Sequence, residues 1–496
     1  MNMLEALLVA QAHRDGRAQR SSAFRHRHFV EAPMVIVPWH LGAEPFTFAA
    51  IAYGSHPETF TLVVPGEPRD RQLLFPLALK LARWFNERFE APWELRNTLT
   101  RGTWSFELAP TAPQVWVPNE GAVTVLGKLG RRLAYLPTEE RPGGPPAADP
   151  DLVRFGRHLM FLARNASRAG QQLVLAATTV AAANWATEQT VGERANLAAL
   201  DAWIEPPTGV HGFDAACAVE ELSAGPLPPP SIERDVADLV EAFNEARRRG
   251  DRQAEESVHA EVRAIYTALS ETAWQLTWRV MERERKWPEE PRFVAPRWAS
   301  DIEEYSSHMA WMNGPAGGRR RTRQTVPQAI RLRASAESER AAVEAQEAIS
   351  DPLHLIPLLL DHRAVEGTLV EYDATHREVK RGKRNASRVP VVTLLTNQPC
   401  LIPVGKELWW TEYPDRVRVV VERVERDESS LETRVVLKVM EHLDDADHMR
   451  LAPQPLCFTQ FSTRVPWRTR VSDTIPWSHQ PPGGEYDPAD VEEVVQ

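Results

Sequence analysis

The residues best suited to chemistry on phosphate groups are cations that cluster in the C-terminal third of the chain. They surround Gly382 and Asn385, and the cluster consists of Arg377, Lys380, Arg381, Lys383, Arg384 and Arg388. Cations that neutralise several phosphates together release counterions, which gives a salt-sensitive affinity for nucleic acid. A second basic run could add to the same surface, and it contains Arg319, Arg320, Arg321 and Arg323. We therefore predict a surface that binds DNA or RNA, with docking of an acidic partner protein as an equal alternative.

Two carboxylates beside the first cluster could support metal-dependent cleavage. Asp373 precedes the tripeptide Glu378-Val379-Lys380, an order that resembles the D…ExK pattern of the PD-(D/E)xK nuclease families. The resemblance implies that Asp373 and Glu378 would hold Mg²⁺ and that Lys380 would steady the attacked phosphate. A divergent metal-dependent nuclease is therefore a further alternative.

Other catalytic patterns are missing or incomplete in the sequence. Neither GxxxxGK[ST] nor GxGxxG occurs, which argues against nucleotide hydrolysis, and neither HExxH nor GxSxG is present. His26 and His28 would share one face of a strand, but the arginines that flank them oppose a bound cation. His211, Asp214 and Cys217 have the residue types of a thiol nucleophile with its base, yet lie too close together in sequence to converge. We expect no catalytic residue, metal ion or cofactor.

The composition is that of a folded protein with more than one core. The chain has 496 residues, of which 43% are hydrophobic and 25% charged, and its net charge is −10. This length predicts about three folding units. The acidic balance excludes a protein that coats nucleic acid with its whole surface, but it allows a local basic face. Three cysteines without CxxC spacing and the missing secretory leader predict a cytoplasmic protein without a membrane segment.

The elements that must position these residues fall into three regions. Residues 1–136 are predicted as an α+β domain with a helix over 71–89 and strands elsewhere, including 122–126 and 132–136. A Pro/Gly-rich linker at 137–150 separates it from a helical domain at 151–350, which has internal Pro-rich breaks. Residues 364–442 alternate as five strands, the count of a small OB-like or SH3-like barrel, and residues 475–496 are predicted to be disordered.

The sequence thus predicts a multi-domain α+β protein whose basic loops are displayed on a small β module. Trp409, Trp410 and Tyr413 could offer stacking faces beside them, although a barrel core is the commoner place for such residues. The functional hypothesis is a non-catalytic, nucleic-acid-associated accessory protein of a DNA-processing or phage-defence system. It would work with a separate helicase, nuclease or other protein subunit. A structural or adaptor subunit of a protein complex is the alternative.

Overall fold

The computed structural model describes residues 3–42, 44–90, 97–101, 104–140, 142–144, 146–314, 326–379, 384–426 and 432–464. The fold is mixed α+β, and it is about 48% helical and 20% strand. The predicted basic run at 319–323 and the predicted disordered tail at 475–496 lie outside the described residues, as do Lys380, Arg381 and Lys383 of the first cluster.

The α-helices occur mainly in the first 360 residues. They are α1 (Met3–Asp15), α2 (Arg71–Phe89), α3 (Glu120–Leu133), α4 (Pro150–Ala166), α5 (Ala177–Asn184), α6 (Leu197–Ile204), α7 (Gly212–Ala218), α8 (Pro230–Arg249), α9 (Arg252–Arg285), α10 (Val294–Asn313), α11 (Val326–Ser350), α12 (Pro352–Leu360) and α13 (Leu443–Ala446). Two short 3-10 turns cover Glu193–Ala195 and Asp447–Arg450. None of the helices in the described parts of the chain is long and apolar enough to cross a membrane.

The strands of the first half form one mixed sheet and two small ribbons. They are β1 (Gln19–Arg20), β2 (Met34–Leu41), β3 (Glu44–His56), β4 (Thr59–Val63), β5 (Asn97–Arg101), β6 (Trp104–Leu108), β7 (Val115–Val117), β8 (Val174–Ala176) and β9 (Trp185–Ala186). The main sheet has the order β4-β3-β2-β7-β8, in which β2, β7 and β8 are parallel to one another and β3 is antiparallel to both β2 and β4. β1 pairs with β9 and β5 with β6.

Helices cover both faces of the main sheet, and alternate residues of β2 show why. Met34 and Ile36 point into a core that includes residues of α2, α3 and α4, whereas Val35 and Val37 point into a core with α5, α6, α8 and α9. Every residue of β2 is buried, as expected for a strand with packed layers on both sides. The first core draws on residues from both sides of 137–150, including Phe155. The predicted boundary at this segment stays a prediction.

The predicted helix over 71–89 is confirmed as α2. Asp70 caps its first turn by accepting a hydrogen bond from the Gln72 backbone N–H, and Leu74, Leu81 and Phe85 lie on its buried face. The region 151–350, predicted to be helical, contains the long helices α8 and α9, and Gly250 lies between them in the left-handed conformation at φ 72°.

The predicted strands at 122–126 and 132–136 are wrong, because residues 120–133 form helix α3. Asn119 starts this helix by accepting a hydrogen bond from the Ala122 backbone N–H, and Leu126, Leu129 and Leu133 follow at helical spacing on its buried face. The region predicted to be helical also contains a strand, because Val174–Ala176 form the buried strand β8 beside β7 before α5 begins at Ala177.

The C-terminal region is a closed six-stranded barrel in the order β10-β13-β16-β15-β14-β17. Its strands are β10 (Ala364–Asp373), β13 (Val391–Thr396), β14 (Glu407–Trp410), β15 (Arg418–Arg426), β16 (Thr433–Val439) and β17 (Leu456–Thr459). The five predicted strands are present, and β17 adds a sixth beyond the predicted end of the module at 442. A separate hairpin consists of β11 (Arg377–Val379) and β12 (Ala386–Arg388).

Candidate nucleic-acid interface

The predicted basic cluster lies on the hairpin that joins barrel strands β10 and β13. β11 and β12 are antiparallel, with Arg377 opposite Arg388, Glu378 opposite Ser387 and Val379 opposite Ala386. Lys380, Arg381 and Lys383, which lie between these two strands in the sequence, are outside the described residues. The charged residues of the hairpin that the structure describes are Arg377, Glu378, Arg384 and Arg388.

One anchor of the hairpin is an ion pair between Arg388 and Asp447, in which one guanidinium nitrogen contacts both carboxylate oxygens. The Arg388 guanidinium donates to both carboxylate oxygens at 2.6 and 2.7 Å, and its Nε donates to the Ala374 carbonyl at 2.8 Å. The Tyr372 hydroxyl donates to the same carboxylate at 2.7 Å. Partial burial opposes ionisation of Asp447, but the Arg388 hydrogen bonds prevail and lower the pKa of Asp447. Arg388 thus holds the hairpin to the 3-10 turn after α13.

A second anchor joins Glu378 to the barrel wall. Its carboxylate accepts from Lys438 of β16 at 2.5 Å and lies 3.1 Å from His376 Nε2. Lys438 also pairs with Glu422 of β15 at 2.9 Å. The hydrogen bond from Lys438 is the largest cause of the lowered pKa of Glu378. The hairpin therefore has fixed contacts to the barrel through both of its strands.

Asp373, the other acidic residue of the nuclease-like pattern, closes a turn at the end of β10. Its Oδ1 accepts from the Thr375 backbone N–H at 2.9 Å, from the Thr375 hydroxyl at 2.8 Å and from the His376 N–H at 3.1 Å. These hydrogen bonds lower the pKa of Asp373, with the Thr375 hydroxyl as the largest cause. Asp373 and Glu378 both have local partners that explain their presence, and Lys380 lies outside the described residues.

Two arginines of the cluster remain exposed. Arg377 and Arg384 are exposed to solvent, and neither forms an ion pair within the described parts of the chain. Val379 of β11 is also exposed, at 62%. An exposed guanidinium without a carboxylate partner keeps its full charge for a ligand, and its planar fork matches a phosphate. Among the described cations of the hairpin, Arg377 and Arg384 thus have no ion-pair partner, whereas Arg388, directly opposite Arg377, is used as an anchor.

The aromatic residues near the hairpin belong mainly to the barrel core. Trp410 is 1% exposed, and the Tyr413 ring lies 5.1 Å from it, centroid to centroid. Trp409 is only half-buried. The core explanation of Trp410 is confirmed, so stacking on a nucleic-acid base is not available to this residue.

The two weaker sequence patterns do not assemble as catalytic or paired metal sites. His211 caps α7 by accepting from the Phe213 N–H at 3.1 Å, and its Nε2 lies 2.8 Å from the His13 carbonyl. His26 and His28 have different partners: His26 contacts Asp351, and His28 contacts Glu289 at 3.2 Å.

Several buried polar groups were not singled out from the sequence. Glu284, which is fully buried, accepts hydrogen bonds from Asn184 and Trp185 and pairs with Arg20. His158, also fully buried, contacts Glu90 through Nε2 and His308 through Nδ1. The partners are far apart in the chain, so no local spacing indicates them. Only an unusual burial of charge, visible in three dimensions, identifies these groups.

Comparison of the chain with protein-family models, with curated proteins and with solved structures found no match.

Proposed function

We propose that this protein is a non-catalytic, nucleic-acid-associated accessory protein that binds the phosphate backbone through the β11–β12 hairpin. The proposal rests on the different contacts that the charged residues of the hairpin make. Arg388 and Glu378 fix its base to the barrel, while Arg377 and Arg384 are exposed without ion-pair partners in the described residues. Lys380, Arg381 and Lys383 add three positive charges to the same short segment of sequence.

A fixed hairpin is better suited to this role than a free loop. Binding orders the contacting side chains, and a backbone that is already held in place loses less conformational entropy when it meets its ligand. The acidic net charge of −10 repels phosphate at long range, so binding depends on this local positive surface. The interaction should therefore be salt-sensitive and largely independent of base sequence.

The test is a titration of the full chain with labelled single-stranded DNA, double-stranded DNA and RNA at several salt concentrations. We expect the double variant Arg377→Glu, Arg384→Glu to bind at least tenfold more weakly than the wild type. For a single strand, the slope of log affinity against log salt should fall by about 0.7 for each phosphate contact that is lost. The control is Arg252→Glu with Arg263→Glu, which makes the same change in net charge on the exposed face of α9. No binding at low salt, or equal losses in both variants, would end the proposal.

The accessory role rests on the missing nucleotide-hydrolysis motifs, which leave any motor or cleavage activity to a separate helicase or nuclease. Co-purification before and after nuclease treatment tests it. A complex that dissociates on nuclease treatment supports the association of this protein with nucleic acid. A defined complex that survives the treatment, with no nucleic-acid binding by the isolated chain, supports the adaptor role instead.

The nuclease alternative has its own discriminating test. Metal-dependent cleavage through Asp373 and Glu378 would require both carboxylates to exchange their present partners for Mg²⁺. Incubation of the full chain with DNA and Mg²⁺ measures the activity directly. Cleavage that Asp373→Ala leaves unchanged would eliminate this assignment.

We also propose that the barrel is a separate folding unit of a multi-domain chain. Among the residues that the structure describes, its hydrophobic core contains buried residues only from the stretch between Val365 and Phe458. A core drawn from one continuous segment is what an independently folding domain requires.

A further inference from the structure

The N-terminal segment before β2 is held against the start of α12 by one carboxylate. Asp351 caps α12 by accepting from the Leu353 N–H at 2.9 Å. Its other oxygen accepts from the Ser22 hydroxyl at 2.6 Å and the Ala23 N–H at 2.8 Å, and it lies 3.1 Å from His26 Nε2. Two stretches of chain more than 300 residues apart thus meet at a carboxylate that is fully buried.

A second histidine completes a cluster of three metal-ligand types. His354 follows Asp351 by one turn of α12, and its ring stacks on that of His26 with a centroid distance of 5.5 Å and an interplanar angle of 15°. One ligand atom from each of His26, Asp351 and His354 lies within 4.8 Å of the others. The spacing on the helix places Asp351 and His354 on the same face.

His26 has an incomplete set of hydrogen bonds. Its side chain is 8% exposed, and its Nδ1 is buried without a hydrogen-bond partner among the described residues. Of the two ring nitrogens, Nε2 is the one that faces Asp351, so only Nε2 can share an ion with that carboxylate. Metal binding there requires the tautomer that carries its proton on Nδ1, the atom that has no partner among the described residues.

Each of the two arginines next to His26 has a carboxylate partner, which reduces its repulsion of a cation. Arg25 pairs with Glu289 at 2.9 Å, and Arg27 pairs with Glu347 at 3.1 Å. Glu347 also pairs with Arg297 at 3.4 Å. The objection that the sequence raised against a cation at His26 therefore loses much of its weight in the folded chain.

We propose that His26, Asp351 and His354 bind a single divalent transition-metal ion, of which Zn²⁺ fits the ligand set best. Two imidazoles and one carboxylate are a common zinc set, with bonds of about 2.0 to 2.2 Å. Tetrahedral ligands at that bond length are roughly 3.4 Å apart, so any pair of the three ligand atoms that lies farther apart than this, up to 4.8 Å, must move closer when the ion binds.

The proposed ion would have an open fourth position. A cavity of about 190 Å³ is lined by both His26 and His354, and its other polar lining groups are Glu120, Glu347, Gln171, Thr179, Asn184 and the arginines Arg25, Arg27 and Arg168. Catalytic zinc sites have three protein ligands and a fourth position for water, whereas purely structural sites have four protein ligands. The site would also fasten the N-terminal segment to the helix that leads into the barrel.

The experiment is zinc binding by the full chain after removal of metals with a chelator. We expect one Zn²⁺ per chain after dialysis, and Co²⁺ as a probe should give the visible absorption of a four-coordinate site. His354→Ala removes a half-buried ring for which no side-chain hydrogen bond is described, so the fold should tolerate it. This variant should lose the Co²⁺ spectrum and bind zinc at least tenfold more weakly. His354→Cys, which supplies a thiolate ligand, should restore binding.

The control is His28→Ala, two residues from His26, which should keep wild-type stoichiometry and affinity. Zinc should raise the melting temperature of the wild type and of the control but not that of His354→Ala, because a ligand stabilises only the state that binds it. A wild-type chain that retains no zinc, or zinc binding that His354→Ala leaves unchanged, overturns the proposal and leaves the cluster as a hydrogen-bonded fastening.

Discussion

Glu284 shows how this fold treats buried charge. The carboxylate is fully buried on α9, yet its oxygens lie 2.7 Å from Trp185 Nε1, 2.9 Å from Asn184 Nδ2 and 3.3 Å from Arg20. The Arg20 guanidinium in turn lies 3.8 Å from the centre of the Trp287 ring. A charge without partners could not remain ionised in such a place, so these contacts are a condition of burial.

We predict that Glu284→Ala destabilises the protein by about 3 kcal/mol or more, because the variant leaves Arg20 and two polar side chains buried without their acceptor. Urea denaturation at pH 7 measures the change. Glu245→Ala is the matched control, since Glu245 pairs with Arg249 on the solvent side of α8 and should contribute only a few tenths of a kcal/mol. Similar losses in the two variants would contradict the argument.

Asp301 on α10 should make stability depend on pH. Burial is the main cause that raises the pKa of Asp301 to about 6, although its carboxylate accepts from the Gln172 N–H at 2.8 Å. The unfolded chain ionises this group near pH 4, so the native state loses stability as the pH rises from about 4 to about 6.

Asp301→Asn removes this titration while it keeps a carbonyl that can accept the Gln172 hydrogen bond. The variant should be more stable relative to wild type at pH 8 than at pH 4, by about 2 to 3 kcal/mol. Urea unfolding of both proteins at the two pH values gives the comparison. A stability difference that is the same at pH 4 and pH 8 would show that ionisation of Asp301 is not its cause.

Among the elements, the β11–β12 hairpin depends most clearly on contacts with the rest of the structure. Two strands of three residues each are too short to be stable alone. The ion pairs of Arg388 with Asp447 and of Glu378 with Lys438 supply the missing support. The orientation of the exposed arginines is therefore controlled from outside the hairpin.

This dependence predicts that Asp447→Asn weakens nucleic-acid binding several-fold, although the substitution removes a negative charge near the proposed surface. Asp444→Asn makes the same charge change three residues away, where Asp444 is fully exposed and lies 3.5 Å from Arg388. The control should bind equally well or slightly better than wild type. If both variants bind more tightly, local charge rather than hairpin anchoring determines affinity.

The accuracy of the sequence-based predictions varied between elements for physical reasons. The apolar spacing of α2 and the strict alternation of β15 and β16 are strong signals because each buries one face against a single core. The predicted strands at 122–126 and 132–136 are wrong because the apolar residues of α3 occur in short runs, which are typical of strands. The capping residue Asn119 is the signal in the sequence that indicates a helix. The sequence does not predict strand β17, because its four residues are all buried and show no alternation of apolar and polar side chains.

The candidate sites were less predictable than the elements. The cations of the hairpin are adjacent in sequence and could be found directly, but the partner of Arg388 lies 59 residues away. His26 and Asp351 are 325 residues apart. Pairings of this kind depend on how distant segments pack, and neither residue type nor spacing indicates them. The sequence therefore located the exposed positive charge but not what positions it.

At the scale of the whole molecule, the barrel and the main sheet differ in how their core residues are distributed along the chain. The barrel core comes from one continuous stretch, whereas the core beneath the main sheet combines residues of β2, α2, α4 and α10. Three residues that follow the predicted linker at 137–150 are buried in the core beneath the main sheet, namely Leu152, Phe155 and Leu159.

We predict that a fragment of residues 351–464 folds alone and that a fragment of residues 1–136 does not. The first keeps the complete barrel core, while the second loses the apolar residues of α4 and α10 that cover its helices. Near-ultraviolet circular dichroism and cooperative urea unfolding distinguish the outcomes. A folded 1–136 fragment would support a domain boundary at 137–150.

The closure of the barrel has a consequence for the order in which the molecule is built. β17, the last strand, lies between β10, the first, and β14, so the ring has free edges until the two ends of the region meet. Pairing of segments so distant in sequence is slow, because the loop entropy is lost before any contact forms. Helices such as α9, which need only local contacts, can form much earlier. Until Leu456–Thr459 are in place, the unpaired edges of β10 and β14 can pair with another chain, so the final strand is also the protection of this region against aggregation.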